Sequence, residues 1–333
     1  MGTIKMKVVA VVLLCALFAS GICGFISVRE STRTASEESG EILTLQTQQM
    51  VGDLDAQFSL ISQSVDTLAS ICMKQLTDFE QFKTNPQYEK DYTDSLRDVL
   101  LNFAENTDGA LTCYIRYNPE FTEPTSGIFF TRDDDKSAFS SVTPTDFSIY
   151  DPDDLTHVGW YYIPVNNQKP TWMDPYLNEN INVYMISYVI PLFIDDTSVG
   201  IVGMDIDFTK IQDNVKDVKF FDTGYAFLTN AENNILYHPK LETGTEAASD
   251  TKYGMKQVAG FLEDTKKADK VQSFTCSGKK YNGAYAVLNN GMKVGSCVPE
   301  REVVSAATAT AYKIFIGFVV ALVLSLCSGL CFS

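Results

Sequence analysis

MISYVIPLF (185–193) and VGIVGMDI (199–206) are the two runs on which the fold turns. Both are apolar and strand-like, and residues 194–198 join them as a hairpin. A helical stretch at 208–218 closes this unit. Upstream, the pattern beyond Pro86 changes to short strands with turns: 111–117 and 127–132 read as strands, followed by an acidic, Pro-containing loop at 133–154. Downstream, Asp222-Thr223-Gly224 opens a second unit, with strands at 225–229 and 235–238 and a helix near 255–263. Residues 271–298 then form a three-stranded meander, with turns at 277–280 and 289–291. The result is an α+β chain with two antiparallel-sheet units of ~100 to 130 residues each.

The apolar residues are unevenly spread. Residues 8–26 and 314–332 are each 19 residues without a charge. At ~1.5 Å per residue, each makes a helix of ~28 Å, about the thickness of a hydrocarbon core. Two transmembrane helices, 8–26 and 313–333, are therefore expected to flank a segment in one aqueous compartment. Lys5 and Lys7 precede the first run and place residues 1–7 in the cytoplasm, so 27–313 are extracytoplasmic and the chain is a multi-pass protein of the cell membrane. A cleaved signal peptide is the competing reading, with a small-residue site at 16–21 that is nevertheless followed by more apolar residues. All 42 acidic residues and 24 of the 26 basic ones lie between 27 and 313, a net of −18. Such a surface repels a polyanion, which excludes nucleic acid as the main partner.

From Leu54 the apolar positions run Phe58, Ile61, Val65, Leu68 and Cys72, a heptad seam on one long helix that continues out of the first span. Two readings stand open: the stripe packs on its own domain, or it is a parallel homodimer contact. Of the eight cysteines, Cys15, Cys23, Cys327 and Cys331 fall in the apolar runs as small hydrophobes. Cys276 and Cys297 fall on strands one and three of the meander, two spacings or ~9.5 Å apart, beyond disulfide reach. With His157 and His238 the sole histidines and no CxxC, a zinc site has almost no support.

At this point the ordered motifs resemble a known family. They are Gly159-Trp160-Tyr161, Asp174-Pro175-Tyr176, residues 187–191 and 199–206, then Asp222-Thr223-Gly224-Tyr225 and Leu236-Tyr237-His238-Pro239. Together with membrane span, long helix and second span, they resemble the periplasmic double Cache sensor of bacterial chemoreceptors, sensor kinases and diguanylate cyclases, over roughly residues 30–312. The resemblance implies two PAS-like units behind a stalk helix: 27–85 the stalk or dimer helix, 86–218 the membrane-distal, ligand-binding unit, and 219–312 the membrane-proximal one. It implies signalling across the membrane to a cytoplasmic output module, which is absent from this chain ending at Ser333.

Catalysis has poor support, because no phosphate loop, nucleophile elbow or Ser/His/Asp set is present. The chain is expected to be no enzyme and to carry neither cofactor nor metal. The acidic clusters at 133–135 and 151–154 lack the ligand spacing of an EF-hand and read as solvated loops. An extracellular enzyme and a membrane protein that binds no ligand are the alternatives. Both tryptophans, Trp160 and Trp172, lie close together with Tyr161 and Tyr162, and Tyr176 follows. Pro164, Pro170 and Pro175 break the segment, which reads as a loop carrying aromatic walls for a small ligand. In amino-acid-binding members an Arg two residues before the Trp-Tyr pair clamps the carboxylate, and Val158 stands there. An Asp two residues after the Pro-Tyr helps hold the amine, and Asn178 stands there. Trp160, Tyr161, Trp172, Tyr176, Asn178 and Asp205 are the expected ligand-binding residues, for an amine or quaternary ammonium ahead of an α-amino acid, with an uncharged heterocycle third.

Overall fold

The computed structural model describes residues 2–133, 137–178, 183–305, 309, 312–317, 319 and 320. These form two compact units, one of residues 50–215 with 288–292, the other of the described parts of 1–49, 216–287 and 293–333. This differs from a division into consecutive segments. The helix α1 (Gly2–Gln75) gives residues to both units, and the 288–292 turn belongs with the first, where the Asn289 N–H donates to Asp55 Oδ1 at 2.9 Å.

In the first unit, α1 packs one stripe inward. Leu54, Phe58, Ile61, Val65, Leu68 and Cys72 are buried, with Ile61 at 0% exposure and its outward neighbour Leu60 at 53%. The stripe therefore packs on its own unit, the first of the two readings of the seam. The stalk is also shorter than 27–85, for α1 ends at Gln75 and α2 (Phe79–Thr84) follows, capped by Asp78, which accepts from the Gln81 N–H at 3.0 Å. Beyond Pro86 the chain does not turn directly to strands. Asn85 caps α3 (Pro86–Asn106), with proline in its first turn, and Tyr92, Leu96, Leu100 and Ala104 form a buried helical stripe.

The sheet of this unit holds β1 (Ala110–Tyr117), β2 (Gly127–Thr131), β3 (Ser140–Val142), β4 (Thr171–Trp172), β5 (Tyr176–Asn178), β6 (Val183–Ile194) and β7 (Thr197–Asp207). Their order is β3-β2-β1-β7-β6-β4, with β5 also on β6, and every pairing is antiparallel. Asp195, at φ 50°, turns the β6–β7 hairpin. Because helices cover both faces, all eight residues of β1 are buried. The expected aromatic loop is in part a helix, α4 (Leu155–Asn167). Asp154 caps it by accepting from the His157 N–H at 3.3 Å, and Gln168 ends it in a left-handed conformation at φ 52°. Pro164 sits inside α4 at the loss of one backbone hydrogen bond. The unit closes with α5 (Phe208–Asp217).

The second unit holds β8 (Lys219–Phe220), β9 (Gly224–Thr229), β10 (Ile235–Tyr237), α6 (Met255–Leu262), β11 (Gln272–Cys276), β12 (Lys279–Val287) and β13 (Lys293–Pro299). Strand order is β10-β9-β13-β12-β11, with β8 also on β9. Ser277 and Gly278, at φ 49° and 75°, make the two-residue turn of the meander. Cys276 and Cys297 are both free, on strands separated by β12. Phe227, Ile235, Val258, Leu262 and Tyr285 form the core. On α1, Thr47 shares a 2.7 Å hydrogen bond with Ser296. The helix that leaves β13 is tied to the turn before β9 by Glu302, which accepts from the Thr223 N–H at 2.9 Å.

Among the described residues, α1 is one helix long and apolar enough near its N-terminus to cross a membrane. The second expected span, 313–333, lies largely outside the described residues, as do Cys327, Cys331, Asp134 and Asp135.

Since Ile61 is fully buried and Leu60 is not, the two neighbours separate cleanly in denaturant unfolding of the purified chain. Ile61→Ala is expected to cost about 3 kcal/mol and Leu60→Ala less than about 0.5 kcal/mol.

Candidate functional site

The site is built on three adjacent strands. Thr112 of β1, Asp205 of β7 and Ser187 of β6 are direct partners in the ladder and share one row across the sheet. Asp205 is 2% exposed. Its Oδ2 accepts from the Thr112 hydroxyl at 2.6 Å, and its Oδ1 from the Tyr114 hydroxyl at 3.2 Å. Burial raises the Asp205 pKa above the ordinary carboxylate value, and hydrogen bonds from Thr112, Ser187 and Tyr114 oppose that shift only in part.

Tyr114 reaches Asp205 because the residue opposite it is Gly203. A Cβ there would stand 2.6 Å from the Tyr114 ring, so the ring lies flat against bare backbone. Phe129, its partner on β2, stacks on it at 5.1 Å with an interplanar angle of 3°, and Trp160 of α4 meets it edge-on at 5.4 Å. Tyr176 of β5 shares a hydrogen bond with the Ser187 hydroxyl at 3.1 Å.

These side chains enclose a cavity of about 210 Å³ lined by Tyr114, Phe129, Trp160, Tyr176, Asn178 and Asp205, with Val142, Thr143 and Thr145 along one side. Of the expected residues, the structure brings Trp160, Tyr176, Asn178 and Asp205 together here. Two stand elsewhere. Trp172 pairs with Tyr188, and its ring lies 5.0 Å from Phe58 of α1 and 4.9 Å from Tyr188. Tyr188 faces away from its neighbour Ser187, so Trp172 is core on the opposite side of the sheet. Tyr161 is buried in the aromatic cluster behind the cavity without lining it. Val158 is fully buried in the same cluster and offers no donor.

Sequence reasoning passed over Thr112, Tyr114 and Phe129. The available signal was strand period: in β1, Thr112 and Tyr114 share a face with each other and, by register, with Asp205. Chemically, the arrangement is a set of π faces around one buried carboxylate, a setting that favours a cation. Among the described residues, no three His, Cys, Asp or Glu side chains converge to hold a metal ion.

A long helix followed by two antiparallel-sheet units, one with a small cavity, is the architecture, and comparison with known proteins gives the family. The Cache domain model matches residues 27–307, and the chain belongs to that family. Two methyl-accepting chemotaxis proteins are similar to it over short stretches. PscA of Pseudomonas syringae pv. tomato is 30% identical over 81 residues, 24% of this chain and 13% of its own length. McpG of Pseudomonas putida is 30% identical over 91 residues, 27% of this chain and 14% of its own length. The matched stretches thus span about one seventh of these relatives. Among solved structures, the sensory domain of the Campylobacter jejuni chemoreceptor Tlp3 is similar in fold, with a TM-score of 0.54 at 14% identity over 84% of this chain and 98% of that one. The extracellular domain of the putative histidine kinase soHK1S-Z6 gives a TM-score of 0.59 at 16% identity over 82% and 98%.

Two outcomes follow from the geometry. Because the folded Asp205 pKa lies above the unfolded 3.8, the stability it contributes is complete at lower pH and is lost as pH rises through the raised value. Asp205→Asn should therefore leave the ligand-free chain at least as stable at neutral pH and flatten this dependence in a pH series of thermal unfolding. Gly203→Ala should force Tyr114 out of the stack at a cost of about 1–3 kcal/mol, read in the same unfolding measurement.

Proposed function

We propose that the chain is the sensing part of a membrane-anchored receptor that binds an amine or quaternary ammonium compound between Trp160, Tyr176, Asn178 and Asp205. The observation that carries this reading is the Asp205 carboxylate, buried among the rings of Tyr114, Trp160 and Tyr176 with no cationic side chain among the described residues of the cavity wall. A ligand ammonium would supply the missing charge, and each ring face adds ~0.5 to 2 kcal/mol of cation–π attraction.

An α-amino acid ranks second. Tlp3 is described with isoleucine bound, but the position where amino-acid binders carry their carboxylate clamp is Val158 here. Losing a bidentate guanidinium removes the strongest anchor for a carboxylate.

In this proposal residues 8–26 and 313–333 span the membrane and 27–313 lie outside the cytoplasm. Residues 86–218 bind the ligand, 219–312 lie nearer the membrane, and the signal passes across the membrane to a cytoplasmic output module without catalysis by the sensor itself. Homodimerisation belongs to the same proposal, through outward faces of the chain, since the Leu54–Cys72 stripe is already covered.

Calorimetry tests the assignment. Small primary amines and quaternary ammonium ions should bind the purified chain, and Asp205→Asn should weaken them at least about tenfold, the loss of one buried charge-assisted contact. Tight binding of a simple carboxylate that survives Asp205→Asn would overturn the amine assignment.

A further inference from the structure

Asp205 faces the cavity with most of its hydrogen-bonding capacity already used. An ionised carboxylate offers about four lone-pair positions. The Thr112 hydroxyl takes one on Oδ2 at 2.6 Å and the Tyr114 hydroxyl one on Oδ1 at 3.2 Å, while Ser187, the ladder partner of Asp205 on β6, donates a third. About one position is left for a ligand.

Other polar groups of the wall are engaged in the same way. The Trp160 indole N–H donates to the His157 carbonyl at 2.9 Å, and the Tyr176 hydroxyl shares its 3.1 Å hydrogen bond with Ser187. The Thr145 carbonyl accepts from Nη2 of the buried Arg116 at 2.8 Å, and Asn178 Nδ2 donates to Met185 Sδ at 3.7 Å. What Tyr114, Phe129, Trp160 and Tyr176 bring to the cavity is therefore chiefly the surface of their rings.

The number of N–H groups on the ligand then decides what fits. A primary ammonium brings three, each hydrogen-bonded in water, and burial penalises every one that finds no acceptor. An N–H laid over a ring recovers only part of a hydrogen bond to oxygen. An N-methyl group needs no acceptor, carries part of the positive charge and packs on a π face. Resting on the ammonium reading above, we infer that the cavity selects a tertiary or quaternary head group, with at most one N–H, over a primary or secondary one. The single N–H of a tertiary ammonium takes the open position on Asp205, and a quaternary ammonium meets the carboxylate by charge alone. Thr112, which does not line the cavity, sets this limit from behind the carboxylate.

The test is calorimetry of the purified chain at neutral pH with methyl-, dimethyl-, trimethyl- and tetramethylammonium chloride, all four of them cations. Trimethyl- and tetramethylammonium should bind within about threefold of each other, and the other two at least about tenfold more weakly, the cost of a buried donor left unpaired. Added methyl surface alone would also strengthen binding, so a variant separates the two causes. Thr112→Val keeps the shape of the side chain but removes one donor, which opens a second position on Asp205. Dimethylammonium should then come within about threefold of trimethylammonium, whereas Thr112→Ser should keep the wild-type order. Dimethylammonium binding wild type as tightly as trimethylammonium, with Asp205→Asn weakening both, overturns the selection and leaves the amine assignment standing, whether or not a Thr112 variant folds. An unchanged order in folded Thr112→Val overturns it too, by tracing the order to methyl surface. Binding of none of the four ions overturns the selection together with the amine assignment.

Discussion

A carboxylate held in the middle of a sheet is the constraint around which the first unit is organised. Asp205 is central in both directions, with β1 on one side and β6 on the other. An ionised carboxylate in such a place is costly unless donors surround it. The donors come from its own row: Thr112 from one neighbouring strand and Ser187 from the other, with Tyr114 reaching in from above Gly203. Removing the side chain at 203 makes room for the phenol, and the phenol then becomes the wall on which Phe129 and Trp160 assemble. The cavity therefore follows from satisfying one buried acid, around which the aromatic residues assemble.

Much of the architecture was legible because it rests on patterns that survive without tertiary information. The two apolar runs around Asp195 alternate faces and flank a turn, the meander is punctuated at Ser277-Gly278, and both elements fold as local signals dictate. The stripe from Leu54 to Cys72 was equally visible, but a heptad records only that something apolar covers it. Whether the cover is a second helix or the chain's own sheet is a tertiary fact, and here it is the sheet. The α4 helix was obscured by Pro164, a residue that usually argues against helix interior.

Asp205, Trp160, Tyr176 and Asn178 stand out in the sequence through their motifs and line one cavity, whereas the β1 contribution is hidden by the absence of polar–apolar alternation in a strand covered on both faces. Arg116 illustrates this. At the end of an apolar strand it has the look of a solvent-facing charge, yet it is among the largest fully buried side chains, holding three carbonyls from two loops. Trp172 was misplaced for a different reason. A strand of two residues carries no readable period, so its choice of face depends on a pairing with Tyr188 that only the fold reveals.

That pairing makes the short segment from Trp172 to Tyr176 a lever through the sheet. One end carries the ring that rests on Phe58 of α1, and the other the ring that walls the cavity. Between them the Met173 N–H is pinned to the Ser187 carbonyl at 2.9 Å, and that same Ser187 bonds the Tyr176 hydroxyl through its side chain. With its fulcrum on β6 and Pro175 stiffening the arm, the segment has little slack to absorb a displacement at Tyr176. Movement imposed at the aromatic wall is therefore felt as pressure on the helix behind the sheet, across a barrier that no ligand needs to cross.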